Sequence, residues 1–152
     1  MSGDPLNKEK LVPYLADNIK GFSRLNNVKK FSIGQSNPTF LLETDMASYV
    51  VRRKPDGPLL KSAHAIDREY RVQKALYNTP VPVAKMLHYC DDTSILGVDF
   101  YVMEFVDGVV FEDPALPSLS KEDRTKVFSE INRGLSALHE VNIETVGLTD
   151  FG

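Results

Sequence analysis

The stretch Gly34-Gln35-Ser36-Asn37 is the first place in this sequence where residue types and spacing suggest chemistry. With Pro38 it makes a tight connection between two strand-like runs at 28–33 and 39–43. Such a connection can turn successive backbone N–H groups toward one point, forming a concavity for an anion such as a phosphate. Gly34 permits close approach, and Ser36 and Thr39 add hydroxyl donors. An ordinary hairpin turn has the same composition, and one glycine does not separate the two.

The second place is Tyr49-Val50-Val51-Arg52, where a strand's period of two puts Val50 and Arg52 on one face. A small apolar residue followed two positions later by a cation suits contact with an adenine and then with its phosphates. Arginine is a permanently charged, forked phosphate donor. Arg53 and Lys54 compete for the role, and a cation at a solvated strand end is the plain alternative.

Glu69 lies on a predicted helix over 63–77, four residues after Ala65, three before Val72 and seven before Leu76. That spacing sets a carboxylate on the apolar stripe, where it needs a cationic partner to stay charged. Arg52 on a neighbouring strand would supply one; Arg68 or Lys74 at the helix edge would serve for intrahelical pairing. The fourth place is 100–108, a buried strand running into Asp107-Gly108. Its terminal backbone can meet an adenine edge, or it is simply a core strand.

The elements that must position these residues read in a clear order. Helix 8–20 carries Leu11, Leu15 and Ile19 on one stripe, with Pro13 suited only to a first turn and Gly21 as a stop. Strands follow at 28–33, 39–43 and 48–53, the last closed by Pro55-Asp56-Gly57-Pro58. Ser62 is the expected N-cap of helix 63–77, which Asn78-Thr79-Pro80 ends. Strands near 86–89 and 99–105 flank a turn at Asp91-Asp92-Thr93. A Pro-bearing linker at 114–118 leads to an amphipathic helix over about 120–140, with a Ser120-x-x-Asp123 capping box and a stripe of Phe128, Ile131, Leu135 and Leu138. The expected fold is α+β: a five-stranded, mostly antiparallel sheet with one lateral helix, a short helix before it and a further helix after it. That last helix has no sheet face left to cover, so its partner is expected elsewhere.

Composition narrows the function classes. The 152 residues carry 18 basic and 21 acidic side chains, a formal charge of −3, which gives no support to nucleic-acid binding. Seven cations against three anions in 51–77 nevertheless keep an anion site open. The one cysteine, Cys90, favours a reducing compartment, and the three histidines are too scattered for a zinc site. No apolar run approaches membrane-spanning length, and neither end reads as a targeting signal. A soluble intracellular, cytoplasmic setting is expected from these features.

Phosphate hairpin, cationic strand, carboxylate helix, two strands, hinge, helix is the order of the nucleotide-binding lobe in kinase-like folds. The blocks Phe31-Ser-Ile-Gly34-Gln-Ser36-Asn37-Pro38-Thr39-Phe40, Tyr49-Val-Val-Arg52-Arg-Lys-Pro55, Ser62-Ala-His-Ala-Ile-Asp67-Arg-Glu69-Tyr-Arg-Val and Phe100-Tyr-Val-Met-Glu104 carry a closer likeness. Over about residues 8–150 the chain resembles the kinase-like domain attached to acyl-CoA dehydrogenase family members ten and eleven. Its likeness to aminoglycoside phosphotransferases and choline kinases is at fold level. The resemblance implies ATP-dependent phosphorylation of a small hydroxyl compound, with a hydroxyacyl-CoA as acceptor, and leaves the mitochondrion and peroxisome open as locations. It makes Gly34, Gln35, Ser36 and Asn37 the phosphate loop, Arg52 the phosphate-binding cation, Glu69 its helix partner, and Glu104, Phe105 and Val106 the adenine hinge. Arginine where such kinases usually have lysine is a departure in geometry.

The family's His-Gly-Asp…Asn loop and following Asp, which position the acceptor and hold magnesium, have no counterpart here. Asp150-Phe151-Gly152 looks like a magnesium motif, but His139-Glu140-Val141 lacks the Asp two residues after a catalytic-loop His. The resemblance also puts 146–152 before that loop, so Asp150 reads as a decoy. No catalytic or metal-ligating residue is therefore assigned, and magnesium is expected only in a full-length form. The expected division is a kinase-like lobe at 1–106, then a hinge and the start of a truncated second lobe at 107–152. On this reading the chain alone binds a nucleotide, turns over no acceptor and self-associates through helix 120–140. A non-catalytic interaction module on the kinase fold, or an unrelated α+β ligand-binding domain, are the competing readings.

Overall fold

The computed structural model describes residues 6–32, 36–57 and 65–151. Gly34 and Gln35 of the expected phosphate loop, and the expected N-cap Ser62 with the first positions of its helix, lie outside the described residues. The chain divides into two compact units. One comprises the residues up to Lys74 together with Ala84–Phe105, and the other Ala75–Val83 together with Val106 onward.

In the first unit the element order is α1 (Lys8–Asn18), β1 (Leu25–Lys30), β2 (Thr39–Thr44), β3 (Ser48–Arg53), α2 (Ile66–Leu76, whose end passes into the second unit), β4 (Met86–Cys90), α3 (Thr93–Leu96) and β5 (Phe100–Glu104). The strands form one sheet in the order β1-β2-β3-β5-β4, with every neighbouring pair antiparallel. The fold class is α+β, as expected.

Register sorts the side chains between two faces. Phe40 pairs with Val51 and Val51 with Val102; Thr39 pairs with Arg52 and Arg52 with Tyr101. Because successive residues alternate, Phe40, Leu42, Tyr49, Val51, Phe100 and Val102 share one face, where Leu11, Leu15, Ile19 and Phe22 complete a core. The other face carries Arg52, Tyr101 and Met103; there Ile66 at the start of α2 packs with Tyr101 and Met86, and Tyr70 closes over them. Polar, half-exposed β1 makes one sheet edge, with Lys29 and Lys30 blunting it against further pairing.

Three local expectations are corrected. Pro13 stands inside α1 rather than in its first turn. It is exposed, so the Glu9 carbonyl that loses its intrahelical partner faces water instead of the core. Asp91-Asp92-Thr93 opens a one-turn helix, α3, because the Asp92 carboxylate accepts the Ser94 N–H at 2.8 Å and Gly97 ends the turn in the left-handed region at φ 79°. β1 begins and ends three residues earlier than 28–33. Phe31 only continues the ladder with a single bond to the Thr39 carbonyl, and Ile33 lies outside the described residues.

The second unit centres on α4 (Lys121–His139). Its predicted N-cap forms: Ser120 Oγ accepts the Asp123 N–H at 3.0 Å and donates to Asp123 Oδ2 at 2.9 Å, a side-chain bond in place of a full capping box. Ala137, Leu116 and Leu148 are buried, and Gly134 admits Pro82, whose Cγ would lie 3.4 Å from an added Cβ. Phe128, Ile131, Leu135 and Leu138 are 45–56% exposed. Among the described residues no helix is long and apolar enough to cross a membrane.

Candidate functional site

Two cations end β3 and a third, Lys54, follows it, and the structure gives each a different fate. Arg53 points to the α1 face and is bound by both Asp56 carboxylate oxygens, at 2.8 and 2.6 Å. Lys54 pairs with Asp99, which also accepts the Tyr89 hydroxyl. Only Arg52 faces α2, where its Nε donates to Glu69 Oε2 at 2.7 Å and its Nη2 to Oε1 at 3.3 Å. The strand alternation and the helix stripe thus bring together the two residues that sequence reasoning paired. Their side chains are half-buried, 24% and 34% exposed.

The pair is part of a larger network. Tyr101, directly across from Arg52 on β5, donates its hydroxyl to Glu69 Oε2 at 3.1 Å. Asn37, only 2% exposed, donates from Nδ2 to Oε1 at 3.1 Å. The remaining edge of Arg52 turns toward the β1–β2 connection: Nη1 donates to Thr39 Oγ1 at 3.0 Å and to the Asn37 carbonyl at 3.3 Å. Arg52 thus makes four hydrogen bonds, and all three guanidinium nitrogens take part.

Electrostatics follow from this wiring. Burial alone would raise the Glu69 carboxyl, but Arg52, then Tyr101 and Asn37, outweigh it and hold the group below its ordinary value. Burial pulls Arg52 the other way and Glu69 more than restores it. Burial and the Glu69 charge push the Tyr101 hydroxyl well up, so it stays a protonated donor.

Of the other candidates, Ser36 is exposed beside Asn37. Glu104 closes β5: its side chain accepts the Lys85 N–H at 2.8 Å, and its own N–H donates to the Lys85 carbonyl at 3.0 Å. Phe105 N–H bonds the Ser48 carbonyl at 3.4 Å, and Val106, the first residue here of the second unit, is 63% exposed. Asp150 sits in a turn in which Phe151 N–H donates to the Leu148 carbonyl. Among the described residues no three His, Cys, Asp or Glu side chains cluster as a metal-binding group. Sequence reasoning missed Tyr101. Strand alternation alone sets Tyr101 on the opposite face from Phe100 and Val102, but an aromatic in an apolar strand reads as core.

A five-stranded antiparallel sheet whose third strand offers a cation to a carboxylate on the following helix is the architecture of a kinase-like amino-terminal lobe. Comparison with known proteins agrees. Residues 27–152 match the phosphotransferase enzyme family, APH, and the chain belongs to that family. It is similar to acyl-CoA dehydrogenase family member 11 of Homo sapiens, 41% identical over 146 residues, covering 93% of this chain and 19% of that protein. It is also similar to family member 10 of Mus musculus, 43% identical over 123 residues, covering 81% of this chain and 12% of that one. It thus spans less than a fifth of the length of these curated relatives. A crystal structure from Ralstonia eutropha, assigned as an aminoglycoside phosphotransferase, superposes with a TM-score of 0.81 at 44% identity, over 95% of this chain and 41% of that one.

Proposed function

We propose that this chain supplies the ATP-binding part of a small-molecule phosphotransferase that acts on a hydroxyl group. The observation that carries the reading is the Arg52–Glu69 pair, with Arg52 Nη1 turned to the 36–39 turn. A cation held by a carboxylate cannot wander, so its phosphate contact costs little reorganisation when charge develops. In this reading the backbone and hydroxyls of 34–37 receive phosphate oxygens, Arg52 neutralises them, and the backbone of Glu104, Phe105 and Val106 meets the adenine edge. Val50 shares a strand face with Arg52 and offers an apolar contact to the base.

The dehydrogenase names of the human and mouse relatives support an acyl-CoA compound bearing a hydroxyl as the acceptor class. The setting we propose is a soluble intracellular one. Neither an acceptor-positioning carboxylate after a His nor a magnesium-holding pair can be assigned within these 152 residues. We therefore expect the chain alone to bind nucleotide without transfer. In phosphoryl transfer of this kind magnesium would neutralise charge on the transferred group, and no residue of this chain is assigned to hold it.

Photolabelling with 8-azido-ATP tests the site. The labelled peptide is expected to include 100–106 and to be protected by excess ATP; labelling that ATP does not compete would contradict the assignment. An assay with ATP, magnesium and hydroxyacyl-CoA or amino-alcohol acceptors tests the rest. Turnover abolished by Arg52→Ala would show that the catalytic groups are present after all.

A further inference from the structure

We propose that Tyr101 and Asn37 are positioning residues: they fill the acceptor sites of Glu69 that Arg52 leaves open, and so fix the guanidinium with its Nη1 edge aimed at the 36–39 turn. This rests on the ATP-site reading and adds the residues that set its geometry. A carboxylate offers about four acceptor positions. On Glu69, Oε2 takes Arg52 Nε and the Tyr101 hydroxyl, while Oε1 takes Arg52 Nη2 and the Asn37 amide. The carboxylate is saturated, and Arg52 holds it by its Nε–Nη2 side alone. Without the two neutral donors, the guanidinium would be free to slide into a different forked pairing that draws Nη1 onto Glu69 and away from the turn.

Both positioning groups are themselves fixed. Tyr101 is 1% exposed as the second residue of β5, and Asn37 is 2% exposed at the end of the turn. Nη1 meets Thr39 Oγ1 at 3.0 Å and the Asn37 carbonyl at 3.3 Å. The longer bond, to a neutral carbonyl, is the one that a phosphate oxygen replaces, because a charged acceptor makes the stronger hydrogen bond. Asn37 thus serves twice: its amide steadies Glu69, and its carbonyl keeps the place of the phosphate.

The test titrates ATP and adenosine calorimetrically into the wild-type chain, Tyr101→Phe, Asn37→Ala and Asn37→Ser. In parallel, carbon-13 NMR follows the Glu69 carboxyl titration without nucleotide. Each variant is expected to weaken ATP about tenfold while leaving adenosine, which lacks phosphate, within about twofold. Each is also expected to raise the Glu69 midpoint, since a donor to its charged form is gone. Tyr101→Phe keeps the ring, so the hydroxyl is read apart from packing. An unchanged ratio of ATP to adenosine affinity, or an unmoved Glu69 midpoint, in a folded variant overturns that residue's role. Failure of the wild-type chain to bind ATP overturns the site reading and this inference together; normal binding with unaltered variants overturns the inference alone.

Discussion

At the residue scale, the decisive feature is that a charged pair sits in a setting that favours its charged form. Folding depresses the Glu69 carboxyl below its unfolded value, so its stabilisation is fully present above the unfolded carboxylate range. It is lost as pH falls through the folded value. Glu69→Gln is therefore expected to destabilise the chain at neutral pH by about 1–2 kcal/mol, a modest figure because both groups keep partial solvent contact. The deficit against wild type should vanish in acid, and urea melts across pH read it; a deficit that grows as pH falls would contradict the pairing. Glu69 was legible as a stripe position, and Arg52 as a strand cation. Alternation also explains why Arg53, one residue on, could not share the role. Tyr101 was not legible, because its hydroxyl bonds a carboxylate on a helix 32 residues away in sequence and nothing in the local sequence marks it.

Among the elements, the helices and strands expected from periodicity are present, with ends that differ by at most a few residues. β3 matches the sequence reading residue for residue because Pro55-Asp56-Gly57 closes it sharply. α3 escaped because four residues carry no periodicity, and only the Asp92 side-chain bond makes them a helix. Leu15, wholly buried on the α1 stripe, is part of what makes that helix a wall of the core. Leu15→Ala is expected to cost about 2–4 kcal/mol by chemical denaturation. A loss well under 1 kcal/mol would mean that α1 is not integral to the unit. The exposed stripe on α4 supports self-association of this chain as a proposal, since four large apolar side chains repeat there at helical spacing. Sedimentation should find wild type associating with rising concentration and Leu135→Glu staying monomeric; equal behaviour of the two would remove the stripe from consideration.

For the whole molecule, the sheet order and the grouping of 75–83 with the second unit could not be read locally, because both arise from contacts distant in sequence. The fold class could be, since the motif order of a kinase-like lobe constrains topology before any contact is known. We expect Asp150→Ala to leave nucleotide affinity unchanged with and without magnesium, and a magnesium-dependent loss would make Asp150 a ligand after all. The central claim is that ATP binds through the cation at the end of β3. Its most direct test is calorimetric titration of ATP into the wild-type chain and Arg52→Ala, alongside thermal melts to confirm folding. The account predicts measurable binding by wild type and a loss of about tenfold or more in Arg52→Ala, from removal of one charge-assisted contact. Equal affinity in the two folded proteins, or no binding by wild type, would contradict it.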